Sequence, residues 1–178
     1  MQHVKLYVYA KNLDLHCISA REAIRQFLGV EEMSQLRRFQ KWELEFDVDT
    51  PEEAQEQVDM IVSKTYQLLN QNKEGYYVNA IPKPSYVESK TAVVDVIRNI
   101  GTDDASVAEA IRQKTGAKLN SAQHSIVWEV TLDAQTQAEA NEFIQDNIVV
   151  TSAQNKGVLV NPLFESFSFL DLETVYGG

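Results

Sequence analysis

An internal repeat is the feature that most restricts how this chain can fold. The segment Glu-Ala-Ile-Arg-Gln at 22–26 recurs at 109–113, and Trp42 in an alternating stretch is matched by Trp128 in another. A repeat of this length predicts two similar units that bury their apolar faces together. Two unrelated small domains that share a few residues are the less favoured interpretation.

The repeat predicts where the chain divides. Near the end of the halves, Val78-Asn79 matches Val160-Asn161, so the spacing between matched segments shortens along the chain. Deletions in the loops of the second copy would produce such a trend. We place the first repeat at 1–84 and the second at 85–178, joined by a proline-stiffened connector.

Both halves carry the same order of hydrophobic patterns. Alternation of apolar and polar residues predicts strands, and apolar residues at helical spacing predict helices. The predicted elements are strand 3–10, helix 20–28, strand 36–49, helix 51–70 and strand 76–81, then strand 91–98, helix 107–115, strand 124–132, helix 137–147 and strands 157–162 and 164–170. The predicted fold class is α+β, with two β-α-β-α-β repeats packed as a pseudo-twofold intramolecular dimer.

Hydroxyl side chains at matched positions predict where the helices begin. Ser19 and Ser106 each stand three residues before a glutamate, which is the spacing of a capping box. Thr50 and Thr136 have the same spacing before the second helix of each half. Each half is therefore expected to have two helix starts in register with those of the other.

Composition and motifs argue against several classes of function. The 178 residues carry a net charge of −10, which disfavours binding to nucleic acid or to an anionic membrane surface. The single cysteine, Cys17, rules out an internal disulfide, and we expect neither a metal site nor catalytic residues. The glycine-rich phosphate loops and the G-x-S-x-G motif are absent from the sequence. Without a signal-peptide pattern, the chain is expected in the cytoplasm.

The basic residues of the first half are the candidate partner contacts. Arg37, Arg38 and Lys41 form a cluster without a counterpart in the second half. Paired arginines suit bidentate contacts with carboxylates or phosphates, so the cluster is a candidate docking site. A solvated strand end that offsets nearby acids is an equally good interpretation. Lys11 and Asp14, in the first loop, are further candidate contacts.

A series of short segments in the first half gives the chain a family resemblance. They are Val4-Lys5-Leu6-Tyr7-Val8, Lys11, Leu13-Asp14, the helix of Ala23 ending at Leu28-Gly29, Leu36-Arg37, Lys41, Glu43-Leu44-Glu45 and Leu68-Leu69-Asn70. In order and spacing they resemble the PurS subunit family of phosphoribosylformylglycinamidine (FGAM) synthase, an enzyme of purine biosynthesis. The resemblance covers residues 3–81 and reaches 91–170 through the internal repeat. Leu15-His16-Cys17-Ile18 and Gln40 depart from the family pattern.

The resemblance implies a non-catalytic subunit of an ATP-dependent amidotransferase-type ligase. In such a synthase a larger subunit binds ATP and the substrate amide, and a glutaminase subunit supplies ammonia. The PurS-like component bridges them, supports ammonia transfer and can self-associate. ATP, magnesium and glutamine are then used by the complex, and no cofactor is expected on this chain. The chain resembles two PurS units in tandem.

Two other functions remain open on the sequence. A tandem regulatory module resembling ACT domains would bind a small ligand between its halves, but such domains usually carry a glycine in the loop after the first strand, where this chain has Asn12-Leu13-Asp14. A dimeric barrel isomerase would need an inward-facing histidine or acid, which the patterns do not indicate.

Overall fold

The order of elements is the same in both halves of the chain. A computed structural model describes residues 1–85, 90–100, 102–151 and 157–177. The elements are β1 (Gln2–Ala10), α1 (Leu15–Glu22, continued by a π-helical turn Ala23–Phe27), β2 (Met33–Phe46), α2 (Pro51–Lys64), β3 (Glu74–Val78), β4 (Lys90–Arg98), α3 (Asp104–Thr115), β5 (Leu119–Leu132), α4 (Gln137–Ile144, continued by a π-helical turn Gln145–Val149), β6 (Glu165–Leu170) and α5 (Leu172–Tyr176). The α+β class is confirmed.

The strands form a six-stranded sheet in the order β3-β1-β2-β5-β4-β6. Strand β1 pairs antiparallel with β2 and β3, and β4 pairs antiparallel with β5 and β6. The registers correspond: Leu6 lies opposite Trp42, and Val94 lies opposite Trp128. The matched tryptophans therefore occupy matched positions in the two hairpin-like strand pairs.

The turns that lead into β3 and β6 correct the alignment of the repeat. The Glu74 carboxylate accepts a hydrogen bond from the Asn70 amide at 2.7 Å, and the Glu165 carboxylate accepts one from the Asn161 amide at 2.9 Å. Asn161 is thus the counterpart of Asn70. The predicted match of Asn161 with Asn79 is wrong.

The strand predicted over 157–162 is also wrong, because it was matched to β3 through the same misalignment. Val160 takes part only in an isolated parallel bridge with Val150, and the strand equivalent to β3 is β6. The second half carries a π-helical turn and further chain before its closing turn. The spacing of matched segments consequently lengthens towards the C-terminus, where the sequence prediction had it shorten.

The first helix of each half begins earlier than predicted. Asp14 caps α1 by accepting a hydrogen bond from the amide of Cys17 at 3.1 Å, which places Ser19 inside the helix. Helix α3 begins at Asp104. Both predicted starts are wrong: Asp14 caps α1 upstream of Ser19, and Ser106 donates its hydroxyl to Asp103 instead of capping α3.

The second helix of each half begins as predicted. Thr136 forms a full capping box on α4, and Thr50 caps α2 by accepting from the amide of Glu53 at 3.2 Å. Helix α2 ends at Lys64 instead of continuing to residue 70, because the backbone turns to an extended conformation at Thr65. No helix in the described ranges combines the length and the apolar character that crossing a bilayer requires.

The chain forms two compact units, each assembled from three segments. The first unit comprises Met1–Asn12, Gln40–Ile81 and Gly101–Ser125, and the second comprises Leu13–Phe39, Pro82–Ile100 and Ile126–Gly178. Each unit has its own apolar core. Helix α1 belongs to the second unit and α3 to the first. The compact units therefore do not coincide with residues 1–84 and 85–178. The division of the sequence into two repeats at those bounds stays a prediction.

Candidate functional site

A fully buried carboxylate lies in the interior of the second unit. Glu129 on β5 has 0% of its surface exposed. Arg37 donates to both of its oxygens, from Nε to Oε1 at 2.7 Å and from Nη2 to Oε2 at 2.6 Å. The hydroxyl of Tyr176 donates to Oε2 at 2.7 Å. This geometry supplies the paired charge and additional donor that a buried carboxylate requires.

Arg37 is itself held from two further directions. Its Nη2 donates to the carbonyl of Pro82 at 3.1 Å, and its guanidinium carbon lies 5.4 Å from the ring centroid of Phe39. A bidentate contact stacked on an aromatic ring restricts the guanidinium to one orientation. The residue that the sequence presents as a docking candidate thus also organises the interior.

Tyr176 attaches the C-terminal helix α5 to this network. Burial raises the pKa of its hydroxyl well above the ordinary value for tyrosine, and the hydrogen bond to Glu129 raises it further. The hydroxyl therefore stays protonated and remains a donor throughout the neutral range. The neighbouring Val175 is 2% exposed, so α5 contributes both an apolar and a polar anchor.

Arg38 lies on the other face of β2, because consecutive side chains of a strand point in opposite directions. Its Nη1 is 3.4 Å from an Asp14 carboxylate oxygen, and its guanidinium carbon lies 5.8 Å from the ring centroid of Trp128. Asp14 therefore serves twice, as the cap of α1 and as the partner of Arg38. The structure brings these two predicted site residues together.

Cys17 is placed as a structural residue beside this pair. Its thiol donates to the carbonyl of Leu36 at 3.3 Å. Burial raises the pKa of the thiol, and the charge of Asp14 raises it further. A raised pKa keeps the thiol protonated and therefore weakly nucleophilic.

The two predicted lysines lie in the first unit. Lys41 is 4% exposed and contacts the carboxylate of Glu43 at 2.8 Å. Burial alone would raise the pKa of Glu43, but the hydrogen bond and charge of Lys41 outweigh it, and the pKa is lowered. Lys11 donates to the carbonyl of Gln71 at 2.6 Å. Lys41 is thus a buried ion-pair member, and Lys11 ties the end of β1 to a turn.

A cavity of about 390 Å³ opens beside α1 in the second unit. Its apolar lining comes from β4, β5, the first helix and residues 158–159, and its polar lining comes from α1, β2 and β6. The lining includes Ala20, Arg38, Val96, Ile126, Trp128 and Glu165. Within the described residues, no group of three or more histidine, cysteine or carboxylate side chains could hold a metal ion.

Sequence reasoning missed Glu129 and Tyr176. Glu129 matches Glu43 in the repeat, and both occupy polar positions of alternating strands. The sequence distinguishes the two glutamates by the residues two positions away, which lie on the same face of the strand. Val127 and Thr131 flank Glu129 in this way, whereas Lys41 precedes Glu43. A glutamate between uncharged same-face neighbours is more easily buried than one beside a lysine.

The comparisons with known proteins leave the family undecided. No protein-family model and no curated protein matches the chain. The assignment of function consequently depends on the sequence resemblance and on the geometry described above.

Proposed function

We propose that this chain is a non-catalytic assembly subunit of FGAM synthase, which bridges the synthetase and glutaminase subunits and supports ammonia transfer. The proposal starts from the PurS-like residues of the first half and from their order. Its main structural support is that both halves repeat the same local interactions. A tandem of two PurS-like repeats, related by a pseudo-twofold axis, would have this property.

The repeated interactions involve side chains at matched positions. Arg25 donates to the carbonyls of Met33 and Ser34 at 3.2 and 3.3 Å. Arg112 donates to the carbonyls of Leu119 and Asn120, both at 3.1 Å. Each arginine thus joins the first helix of its half to the start of the following strand. Such a specific contact, made twice, supports duplication of one ancestral unit.

An exposed apolar turn in the second unit is the proposed docking surface. Ile100, Leu163 and Phe164 are 65%, 76% and 50% exposed, and the carbonyl of Phe164 accepts from the amide of Asn99 at 2.8 Å. Exposed apolar groups that lie together commonly mark a protein interface. We call this set the apolar turn, and we propose that the synthetase subunit covers it.

The equivalent turn in the first unit is polar, which gives the proposal an internal reference. There the amide of Lys11 donates to the carbonyl of Lys73 at 2.9 Å, so Lys73 stands where the second unit has Phe164. Asn72 stands where the second unit has Leu163. One repeat is therefore apolar at this turn and the other is not, as expected if only one of them binds the partner there.

The test is reconstitution of the complex. We expect the chain to co-elute with the synthetase and glutaminase subunits on size exclusion in the presence of glutamine, magnesium and adenine nucleotide. The double variant Leu163→Asn, Phe164→Lys copies the polar turn of the first unit. It should need at least a tenfold higher concentration than the wild type to co-elute with the partner subunits. Tyr66→Asn, at a 70% exposed aromatic of the first unit, is the matched control and should leave co-elution unchanged.

Two outcomes bear against the proposal. A failure of the wild-type chain to associate under every ligand condition would refute the assembly function. Co-elution of the double variant with wild-type affinity would remove the apolar turn from the interface and leave the charged residues Lys11, Asp14, Arg37, Arg38 and Lys41 as the predicted contacts.

A further inference from the structure

We infer that the cavity beside α1 in the second unit binds a small zwitterion, namely an amino acid with an apolar side chain. The inference does not depend on the proposed assembly function, because it concerns this chain alone. It follows from a comparison of each group that lines the cavity with its counterpart in the first unit. The cavity volume of about 390 Å³ lies within the range of small-molecule sites.

The first observation is a carboxylate oxygen without a donor. In the first unit, Glu74 uses Oε2 for the amide of Asn70 and Oε1 for the side-chain amide of Gln40, at 2.7 and 3.1 Å. In the second unit, Glu165 also uses Oε2 for the turn amide. The residue matched to Gln40 is Ile126, which has no donor to offer.

Glu165 therefore keeps an acceptor available at the cavity. Among the described residues, nothing donates to its Oε1, and the side chain is only partly exposed. A ligand ammonium group would satisfy this oxygen with a charge-assisted hydrogen bond.

The second observation is the space next to α1. Val107 on α3 packs against the core of the first unit. The matched residue on α1 is Ala20, whose smaller side chain lines the cavity. Ala20 lacks two methyl groups that Val107 has, so the side chain at this position takes up less of the space beside its helix.

The third observation is the cation over the tryptophan. In the first unit, His124 lies with its ring centroid 4.7 Å from that of Trp42. The matched residue in the second unit is Arg38, whose guanidinium is 5.8 Å from the ring of Trp128. Within the described part of the chain, its ion pair is the single 3.4 Å contact with Asp14, so most of its donors remain available.

Together these groups define the ligand. Arg38 offers donors for a carboxylate, Glu165 offers an acceptor for an ammonium group, and Val96, Ile126 and Trp128 offer apolar contact between them. One cation and one anion on the cavity wall are complementary to a molecule that carries both charges. An apolar amino acid such as leucine or phenylalanine meets these requirements.

The experiment is a titration of the full chain followed by two-dimensional NMR, with L-leucine and L-phenylalanine as probes. We expect saturable shifts of the Trp128 indole signal at probe concentrations up to about 10 mM, as for a dissociation constant near 1 mM. The analogues 3-phenylpropionate and phenethylamine, which each lack one charged group, should bind at least about tenfold more weakly.

Two variants locate the site. Ala20→Val introduces the side chain that α3 carries at Val107 and narrows the cavity, so it should weaken binding at least about tenfold without unfolding the chain. Glu165→Gln keeps an acceptor for the amide of Asn161 and should weaken binding about tenfold, whereas the matched control Glu74→Gln should not. Absence of saturable binding by both amino acids, or binding that Ala20→Val leaves intact, would overturn the inference. Equal binding of either single-charge analogue would overturn it as well.

Discussion

Removal of the Tyr176 hydroxyl should destabilise the second unit measurably. The hydroxyl donates at 2.7 Å to a carboxylate that has no exposed surface. A hydrogen bond to a charged group is worth about 1.5–3 kcal/mol, and the phenylalanine ring would keep the apolar packing of α5. We therefore expect Tyr176→Phe to lower the free energy of unfolding by about 2 kcal/mol at pH 7.

The assay is urea denaturation followed by circular dichroism, with Tyr66→Phe as control. Tyr66 is 70% exposed, so the loss of its hydroxyl should change stability by less than about 0.5 kcal/mol. The variant Glu129→Gln tests the role of the charge. With a neutral acceptor in place of the carboxylate, the effect of Tyr176→Phe should fall to about 1 kcal/mol.

The pH dependence offers a second, independent check. Burial and Glu129 raise the pKa of Tyr176 in the folded chain. The unfolded chain then releases its phenolic proton first as the pH rises, so this contribution to stability is complete below about pH 10 and is lost above it. The advantage of the wild type over Tyr176→Phe should shrink from about pH 10 upward. An effect below about 0.5 kcal/mol at pH 7, or one that does not change above pH 10, would refute the assigned contact.

Three further substitutions test local structure by thermal or urea denaturation. Asp14→Ala should lower the free energy of unfolding by about 1 kcal/mol or more, because it removes the cap of α1. Ser19→Ala, inside that helix, should lower it by less than about 0.5 kcal/mol. The reverse order of the two effects would favour the helix start predicted from sequence. Thr136→Ala should cost about 1 kcal/mol through loss of the capping box on α4, and an unchanged midpoint would contradict that cap. Gly157→Ala should lower the free energy of unfolding more than Gly29→Ala does. Both glycines have positive φ, but a methyl group at 157 would meet the carbonyl of Val150, whereas one at 29 would meet open space. Equal losses of stability would argue against the crowding at 157.

The sequence predicts the type and order of most regular elements, but it adds a strand over 157–162, misses α5 and misplaces the starts of the first helices. Ser19 and Ser106 satisfy the capping-box spacing, yet Asp14 ends the first loop upstream and Ser106 instead donates to Asp103. A capping pattern specifies a possible helix start, and an earlier aspartate can replace it, as Asp14 does at α1. Thr50 caps α2 even though Asp49 precedes it, and Pro51 at the first helical position favours that start.

The partner contacts were predicted from charge, and charge alone does not reveal burial. The sequence presents Arg37, Arg38 and Lys41 as one basic cluster. Strand geometry divides the adjacent arginines between two faces of β2, and each then meets a carboxylate. For Arg37 that carboxylate is Glu129, distant in sequence and outside any recognisable motif. Long-range pairings of this kind follow from sheet register, which the local pattern does not specify.

The repeat explains why the two units can share a fold and still differ in what they bind. The contacts that hold each turn are the same in both units: the Oε2 atoms of Glu74 and Glu165 each accept a hydrogen bond from the amide of the matched asparagine. The contacts that fill the space beside each tryptophan are not conserved, since Gln40 is matched by Ile126 and Val107 by Ala20. Substitutions at those positions leave the strand registers intact, because the side chains involved do not contribute to backbone pairing. A duplicated unit can therefore change the side chains beside its tryptophan, and with them what it binds, while it keeps the fold.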